Sequence, residues 1–498
     1  MGQGLCQSRR VAWVWVSLAF FIGLFLLGEF PASSQTAPAR HRVSPVVNLP
    51  DIVFVLTPKL VSGTLAQRFP QGSTIVRLHP AAKEHGVIRL TDDFFAAADP
   101  QMSFDGVRIL FSGQKAQSDH WQIWEMDLDG GHKRQITKCS EDCLRAAYLP
   151  ADEIALTVEE GKEKQLRSYL AVQKTDGSNF HPITFGSAPF RLETVLADGR
   201  IVASAPWPLV GGDTSNSSRM LYTLRPDGTA LESFRCEHRE KGIQLDAEEL
   251  SDGSLVFVRK PLDGTSAGGE LMQIRQGSLS STLVAAHQSG FQSLRQISEE
   301  ESIVAKQTVS VANSSGRFDL YLFNLKTGLS ERLYADAQLS SIQPVPVLPS
   351  AVAKHYWNTL NPESKTGNFI SLNAYLSADD PHGRIATPIS RVRVFALDTT
   401  DGRERNLGEA PVESDGSFFV QVPANWPIRF ALLDAKGGVI REEHSWVWTR
   451  PGEERGCTGC HGDKAVAPEN RWPLTLRRFD TPTPLGEKDH GSATSQAK

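Results

Sequence analysis

Two cysteines and a histidine near the end of the chain are the residues best suited to chemistry. Cys457 and Cys460 are separated by two residues, and His461 follows directly. This spacing is that of c-type haem attachment, because two thiols reach the two vinyl groups of one porphyrin while the histidine coordinates the iron. The pattern predicts one covalent haem c, with Cys457 and Cys460 as thioether positions and His461 as the proximal ligand.

The same cysteine pair has two other interpretations. A Cys-x-x-Cys pair also forms half of a zinc site or a plain disulfide. Zinc needs a second pair of ligands at similar spacing, and the nearby sequence offers only scattered histidines. Haem attachment is therefore the favoured interpretation.

The N-terminus predicts export. Arg9 and Arg10 precede an uncharged apolar run from Val11 to Gly28, and small residues follow. Residues 1–34 are interpreted as a secretory signal peptide. Because the run is close to the ~20 residues that span a bilayer, an uncleaved membrane anchor is the alternative. In either case the rest of the chain is expected in the periplasm or otherwise outside the cytoplasm, where bacteria attach haem covalently.

Composition narrows the class of protein. The formal net charge is -5, with acids and bases mixed and no basic block, so nucleic acid is not expected as a partner. The 40 glycines and 29 prolines, with few helical periodicities, favour a β-rich protein. Cys139 and Cys143 form a second close pair, which an oxidising compartment would join as a disulfide. A metal or redox pair is the alternative there.

Residues 45–345 repeat one pattern, in which alternating apolar strands are separated by turns. Asp-Gly pairs recur in these turns, among them those at Asp105, Asp129, Asp198, Asp227 and Asp252. The pairs are interpreted as turns whose glycine supplies a positive φ, rather than as calcium sites. A repeat of ~45 residues with this outline predicts a β-propeller of about six or seven blades.

A proline-rich boundary near Pro344 to Pro349 separates the repeats from a second β region. Alternating strands at 368–375, 391–397, 417–422 and 428–434 predict an antiparallel β-sandwich-like domain over residues 346–450. The haem segment, 451–478, is expected on the loop that leaves this sandwich. Residues 479–498 are expected to be a disordered tail.

Several stretches of this second region resemble one known family. The stretches 408–418, 446–453 and 455–461 are similar to the middle domain of the hydrazine synthase alpha-subunit family. The resemblance implies a propeller, a β middle domain and covalent haem, with Cys457, Cys460 and His461 in the roles given above. The family's alpha subunit resembles a multihaem protein, whereas this sequence contains one Cys-x-x-Cys-His, so the reaction stays open.

The remaining haem contacts have two interpretations each. His444 is a candidate distal ligand, or a solvated histidine at a strand end. Three tryptophans could pack on the porphyrin or in the sandwich core, and three arginines could pair with haem propionates or lie solvated. These residues are Trp446, Trp448 and Trp472, and Arg450, Arg455 and Arg471.

Two functional classes follow. The first is a redox or electron-transfer protein, or a redox subunit, which passes electrons to a partner protein docked on or beside the propeller. The second is a haem enzyme of the oxidoreductase class that acts on a small nitrogenous or oxygen ligand. A propeller-based protein-binding scaffold is a third interpretation.

Overall fold

The structure is a computed structural model that describes most of residues 49–486. The residues left out of this range are 59, 61–64, 81–85, 162–166, 211–216, 235–240, 263–267, 277, 279, 286–287, 309–316, 378–381, 400, 460–470 and 479–480. The predicted signal segment, Cys460 and His461 therefore lie outside the described residues. No helix in the described ranges is both long enough and apolar enough to cross a membrane.

The first part of the described chain is a six-bladed β-propeller, in agreement with the sequence prediction. Blade 1 has the strand order β24-β1-β2-β3, and blades 2 to 6 use the following strands four at a time. A single parallel pair, Arg219 with Ile243, joins blades 4 and 5 into one sheet. The strands are β1 (Ile52–Thr57), β2 (Thr74–Leu78), β3 (Val87–Arg89), β4 (Ala96–Met102), β5 (Arg108–Gln114), β6 (Gln122–Asp127), β7 (Arg134–Gln135), β8 (Asp142–Leu149), β9 (Glu153–Glu160), β10 (Arg167–Lys174), β11 (His181–Pro182), β12 (Arg191–Val195), β13 (Ile201–Pro206), β14 (Arg219–Leu224), β15 (Glu232–Ser233), β16 (Ile243–Glu249), β17 (Leu255–Lys260), β18 (Glu270–Ile274), β19 (Thr282–Leu283), β20 (Phe291–Gln296), β21 (Glu301–Gln307), β22 (Phe318–Asn324), β23 (Ser330–Tyr334) and β24 (Ser340–Pro346).

The ring closes because the last propeller strand completes the first blade. β24 is the inner strand of blade 1 and pairs antiparallel with β1. Strands in the middle of the blades are buried on both faces, as in β1 and β13, where every residue is buried. One blade alone would expose both of these apolar faces, so only the closed ring removes them from water.

The propeller axis is filled by a ring of polar side chains. The inner strand of each of the six blades shifts register against its neighbour, and Asp99, Arg145, Asp246 and Gln343 have positive φ values near 50° at these shifts. The Arg145 guanidinium lies 3.2 Å from Asp99, 3.5 Å from Asp246 and 3.6 Å from Glu193. Gln343 Nε2 donates to Asp99 Oδ1 at 2.6 Å. The cavity left at this level is about 20 Å³, which suits about one water molecule.

The structure agrees with two further sequence predictions for the propeller, one disulfide and the role of the Asp-Gly pairs. Cys139 and Cys143 form a disulfide that ties the start of β8 to the chain just before it. The Asp-Gly pairs form turns, with φ of 73° at Gly106 and 87° at Gly199. No group of three or more potential metal ligands occurs in the part of the chain that the structure describes.

An extended strap, residues 347–365, leads from the propeller to the second domain. It crosses the turns of two blades, where Ser350 N donates to Phe104 O and Lys354 N donates to Ala197 O. A Cβ at Gly199 would lie 2.0 Å from Lys354 O. The glycine is therefore required by the close approach of the strap as well as by its own φ.

The second domain is a sandwich of two four-stranded sheets. One sheet has the order β27-β26-β29-β30 and is antiparallel, and the other has the order β31-β25-β28-β32. Inward residues alternate along β26 and β28 and meet in one apolar core. The elements are β25 (Thr366–Ser371), β26 (Arg391–Leu397), β27 (Glu404–Pro411), β28 (Phe418–Pro423), β29 (Ile428–Leu433), β30 (Val439–Glu442), β31 (Glu454–Cys457), α1 (Leu474–Arg478) and β32 (Thr483–Pro484).

The second sheet corrects the sequence prediction in two respects. Its edge strands β31 and β32 pair in parallel with β25 and β28, so the sandwich is not entirely antiparallel and extends beyond residue 450. The range expected as a disordered tail contains β32, whose neighbour Leu485 is buried in the sandwich core. That burial holds residues 481–486 on the domain.

Candidate functional site

Cys457 is the last residue of the edge strand β31. The strand pairs in parallel with β25, with Phe369 opposite Arg455 and Ser371 opposite Cys457. Leu372 N donates to Cys457 O at 2.9 Å and continues the pairing past the strand end. The expectation that the haem motif begins on a loop is therefore wrong, because the residues before it complete the open edge of β25.

An apolar cavity of about 130 Å³ lies beside Cys457, between the two sheets of the sandwich. Three phenylalanine rings form much of its wall, and Phe369 and Phe418 each meet Phe430 at centroid distances below 6 Å. The lining residues are Phe369, Ile370, Ser371, Ala374, Phe418, Phe430, Leu432, Arg441, Glu443, Val447, Cys457 and Gly459. The three rings were not singled out from the sequence, although their inward positions follow from strand alternation.

The Cys457 thiol is partly buried, and it is the described cysteine that stands outside a disulfide. Burial raises the pKa of this thiol. The Arg455 guanidinium opposes the rise, and the carboxylates of Glu443 and Glu453 add to it. The thiol is therefore mainly uncharged at neutral pH and faces an apolar wall.

The chain on either side of residues 460–470 is fixed to one corner of the sandwich. A Cβ at Gly459 would lie 2.7 Å from the Leu376 Cβ and 2.9 Å from Asn373 O, so the strand exit accepts only glycine. On the far side, Leu474 N donates to Asp415 Oδ2 at 2.9 Å. Thr475 N donates to Ser417 Oγ at 3.0 Å. The turn that contains Asp415 thus anchors the return of the haem segment.

Segment 448–455 docks on a hairpin of blade 4, residues 225–231, and we call this pair of segments the clasp. Three side chains of the sandwich donate to carbonyl oxygens of the hairpin, and one hairpin amide donates to a sandwich carboxylate. The contacts are Trp448 Nε1 to Gly228 O at 3.2 Å, Arg450 Nε to Asp227 O at 2.7 Å, Arg455 Nη2 to Leu231 O at 2.8 Å and Ala230 N to Glu453 Oε1 at 3.5 Å.

The contacts of the clasp show where three of the candidate haem-contact residues lie. Trp448 is fully buried among residues of blades 3 and 4, with Phe185 and Phe190 edge-on at 5.8 Å. It therefore packs neither on a porphyrin nor in the sandwich core. Arg450 and Arg455 both donate to carbonyl groups of the propeller backbone, a contact that the sequence did not predict.

The other candidate residues lie closer to solvent. The His444 side chain is exposed, although it stands next to Glu443, which lines the cavity. The structure gives His444 no contact with Cys457. Trp472 is 70% exposed, just ahead of α1, and Arg471 is exposed beside it. Arg441 is the arginine that lines the cavity. No pattern in the sequence indicates it, because its position depends on how β30 packs.

The described residues fit a covalently attached haem. Cys457 points a thiol toward an apolar, aromatic wall, which is the surface that a porphyrin face packs against. The next two residues leave the strand at a glycine and lead toward Cys460 and His461, which stand outside the described residues. The two cysteines that would form thioether bonds and the histidine that would bind the iron thus lie within five residues that begin at the end of β31.

These features define a class: a two-domain β protein in which a six-bladed propeller carries a sandwich whose edge strand begins a Cys-x-x-Cys-His sequence. Residues 375–462 match the family model of the hydrazine synthase alpha subunit middle domain. The chain is 23% identical to hydrazine synthase subunit alpha of Kuenenia stuttgartiensis, over 82% of this chain and 65% of that protein. It is therefore related to the hydrazine synthase alpha subunit, and it spans 65% of the length of that curated relative.

The fold agrees with this relationship. The solved structure of Kuenenia stuttgartiensis hydrazine synthase matches with a TM-score of 0.74 at 20% identity. The match covers 86% of this chain and 71% of that chain. It therefore includes both the propeller and the sandwich, as the resemblance in the sequence predicted.

Proposed function

We propose that this protein is an exported c-type haem protein that serves as an electron-transfer protein or redox subunit. The observation that supports the proposal is the position of Cys457, at the end of a strand and beside an aromatic cavity, at the start of a Cys-x-x-Cys-His motif. When bound, a haem supplies a one-electron iron couple whose potential the protein sets through ligands and burial. A redox partner protein belongs to this proposal.

The residues have distinct roles in this proposal. Cys457 and Cys460 would hold the porphyrin through thioether bonds, and His461 would coordinate the iron. The phenylalanines around the cavity exclude water from one side of the group, and Asp415 holds the returning chain through the Leu474 amide. Water exclusion matters because the reduction potential depends on solvent exposure of the haem.

Export is part of the same proposal. Haem c is attached outside the bacterial cytoplasm, and the Cys139–Cys143 disulfide suits an oxidising compartment. Residues 1–34 would direct the chain there, either as a cleaved signal or as a retained anchor. A retained anchor would be the contact with the membrane.

A second candidate is a haem enzyme that acts on a small nitrogenous or oxygen ligand. The relationship to a hydrazine synthase subunit favours it, together with the cavity of about 130 Å³ beside Cys457. This candidate would require that the small ligand can reach the iron, whereas an electron carrier would not require it.

Optical and EPR spectra of the matured, full-length protein separate the two candidates. A low-spin haem that does not bind carbon monoxide after reduction supports the electron carrier. A high-spin haem that binds carbon monoxide supports the enzyme. Colourless protein, or pigment that acidified organic solvent extracts completely, would refute covalent haem attachment.

Substitutions in the motif test the residue roles. Cys460→Ala is expected to lose most of the covalently retained haem. His461→Ala is expected to keep some pigment with an altered spin state. Thr458→Ala is the matched control, because it lies between the cysteines and carries none of the proposed chemistry, and its haem content should equal that of the wild type. Wild-type spectra in both test variants would contradict the assignment.

A further inference from the structure

Arg455 stands on the same face of β31 as Cys457. Side chains two residues apart on a strand share a face, with about 7 Å between their Cα atoms. The burial pattern of the strand agrees, since Arg455 and Cys457 are partly buried while Glu454 and Gly456 are exposed. Arg455 is thus directed toward the cavity side of the strand.

Three contacts fix the guanidinium of Arg455. Nη1 donates to Trp448 O at 2.7 Å, and Nη2 donates to Leu231 O of the propeller hairpin at 2.8 Å. The group also lies over the ring of Phe369, 5.5 Å from its centroid. Because Phe369 lines the cavity, one side chain connects the propeller, the strand that carries Cys457 and the cavity wall.

We propose that Arg455 is a positioning residue, through which the propeller hairpin fixes the haem-attachment strand and holds a positive charge beside it. The inference rests on the proposed haem function and goes beyond it, because it assigns the propeller a direct part in setting the properties of the site. The bidentate fork of an arginine suits this role, since its two nitrogens reach separate carbonyl groups in a fixed geometry.

Arg450 supplies a matched control. It also belongs to the clasp, donates to a propeller carbonyl and lies over an aromatic ring, that of Phe185. Neither arginine lines the cavity, but the ring beneath Arg455 belongs to the cavity wall, whereas the ring beneath Arg450 belongs to the propeller. Arg450→Met therefore loosens the clasp without removing the charge next to Cys457, whereas Arg455→Met does both.

The first experiment measures the reduction potential of the full-length, haem-loaded protein. A nearby cation disfavours the more positive ferric state, so Arg455→Met should lower the potential. Arg455→Lys should restore part of the shift, and Arg450→Met should leave the potential at the wild-type value. Equal shifts in Arg450→Met and Arg455→Met would show that Arg455 only stabilises the interface, and would overturn the proposal.

The second experiment needs no haem and uses full-length, haem-free protein in a Cys460→Ser background. The pKa of the Cys457 thiol is obtained from its alkylation rate as a function of pH, with the modified peptide identified by mass. Glu443 and Glu453 are the other charged groups that act on this thiol. Arg455→Met should raise the thiol pKa, because the opposing cation is lost, and Arg450→Met should not.

The two experiments distinguish a failure of the role proposed for Arg455 from a failure of the proposed haem function. A fall in the thiol pKa of Arg455→Met would mean that the strand has simply become exposed, which overturns the positioning role. Wild-type protein that never acquires haem refutes the proposed function, while the thiol measurement still decides the role of Arg455.

Discussion

Trp448 joins the two domains, and its removal should destabilise the protein strongly. Its ring is fully buried among residues of the propeller although it belongs to the sandwich segment. Trp448→Ala deletes a buried aromatic side chain, which costs about 3–5 kcal/mol. The Gly228 carbonyl also loses its donor, which adds about 1 kcal/mol. Trp448→Phe keeps most of the packing and loses the hydrogen bond, so about 1–2 kcal/mol is expected.

The assay is urea unfolding of the full-length protein, followed by far-ultraviolet circular dichroism, because fluorescence would change with the tryptophan itself. Trp357→Ala is the matched control, since this side chain is 82% exposed on the strap and its removal should cost less than about 0.5 kcal/mol. A loss below about 1 kcal/mol for Trp448→Ala, or a loss equal to that of the control, would refute the assignment of Trp448 as the anchor between domains.

Three further outcomes are expected. Gly228→Ala should lower the melting temperature more than Gly253→Ala, because both have positive φ but only the first would bring its Cβ within 2.4 Å of a carbonyl oxygen. Burial raises the pKa of Asp415, but the hydrogen bonds from Leu474 N–H and from Ser417, together with the nearby Arg471 cation, outweigh it and hold the pKa below the ordinary 3.8. Asp415→Asn should therefore be less stable than the wild type at pH 7, and thermal unfolding should show this difference vanish as the pH falls through the lowered pKa. Arg145→Met should cost about 3–5 kcal/mol in urea unfolding, because buried carboxylates lose their cation.

The propeller could be predicted because its signals are local. Each turn is marked by its own residues, as at Asp105-Gly106, and each strand by its own alternation. The ring of charges on the axis could not be predicted in the same way. Asp99 and Arg145 look like ordinary polar residues inside strands until six inner strands converge and the bulges turn them toward one point.

The candidate site also contains some residues that local sequence predicts and others that depend on distant parts of the chain. The spacing of Cys457, Cys460 and His461 carries its chemistry within five residues, so the sequence alone indicates it. The positions of Trp448 and Arg455 depend on partners more than 200 residues earlier in the chain. Because Trp448 and Arg455 lie close in sequence to the Cys-x-x-Cys-His motif, a reader of the sequence would assign them to the haem. Only their contacts with blade 4 show that they belong to the interface between the propeller and the sandwich.

The closure of the ring by β24 has a consequence for how the protein is made. β1 is among the first strands synthesised, yet one of its two hydrogen-bonding partners in blade 1 is the last strand of the propeller. Until that strand has been synthesised and has folded back, β1 presents an open apolar edge, which is a template for aggregation. If the chain is exported as proposed, it would meet this hazard outside the cytoplasm. Periplasmic chaperones that shield exposed strand edges should then raise its yield more than they raise the yield of proteins built from local contacts.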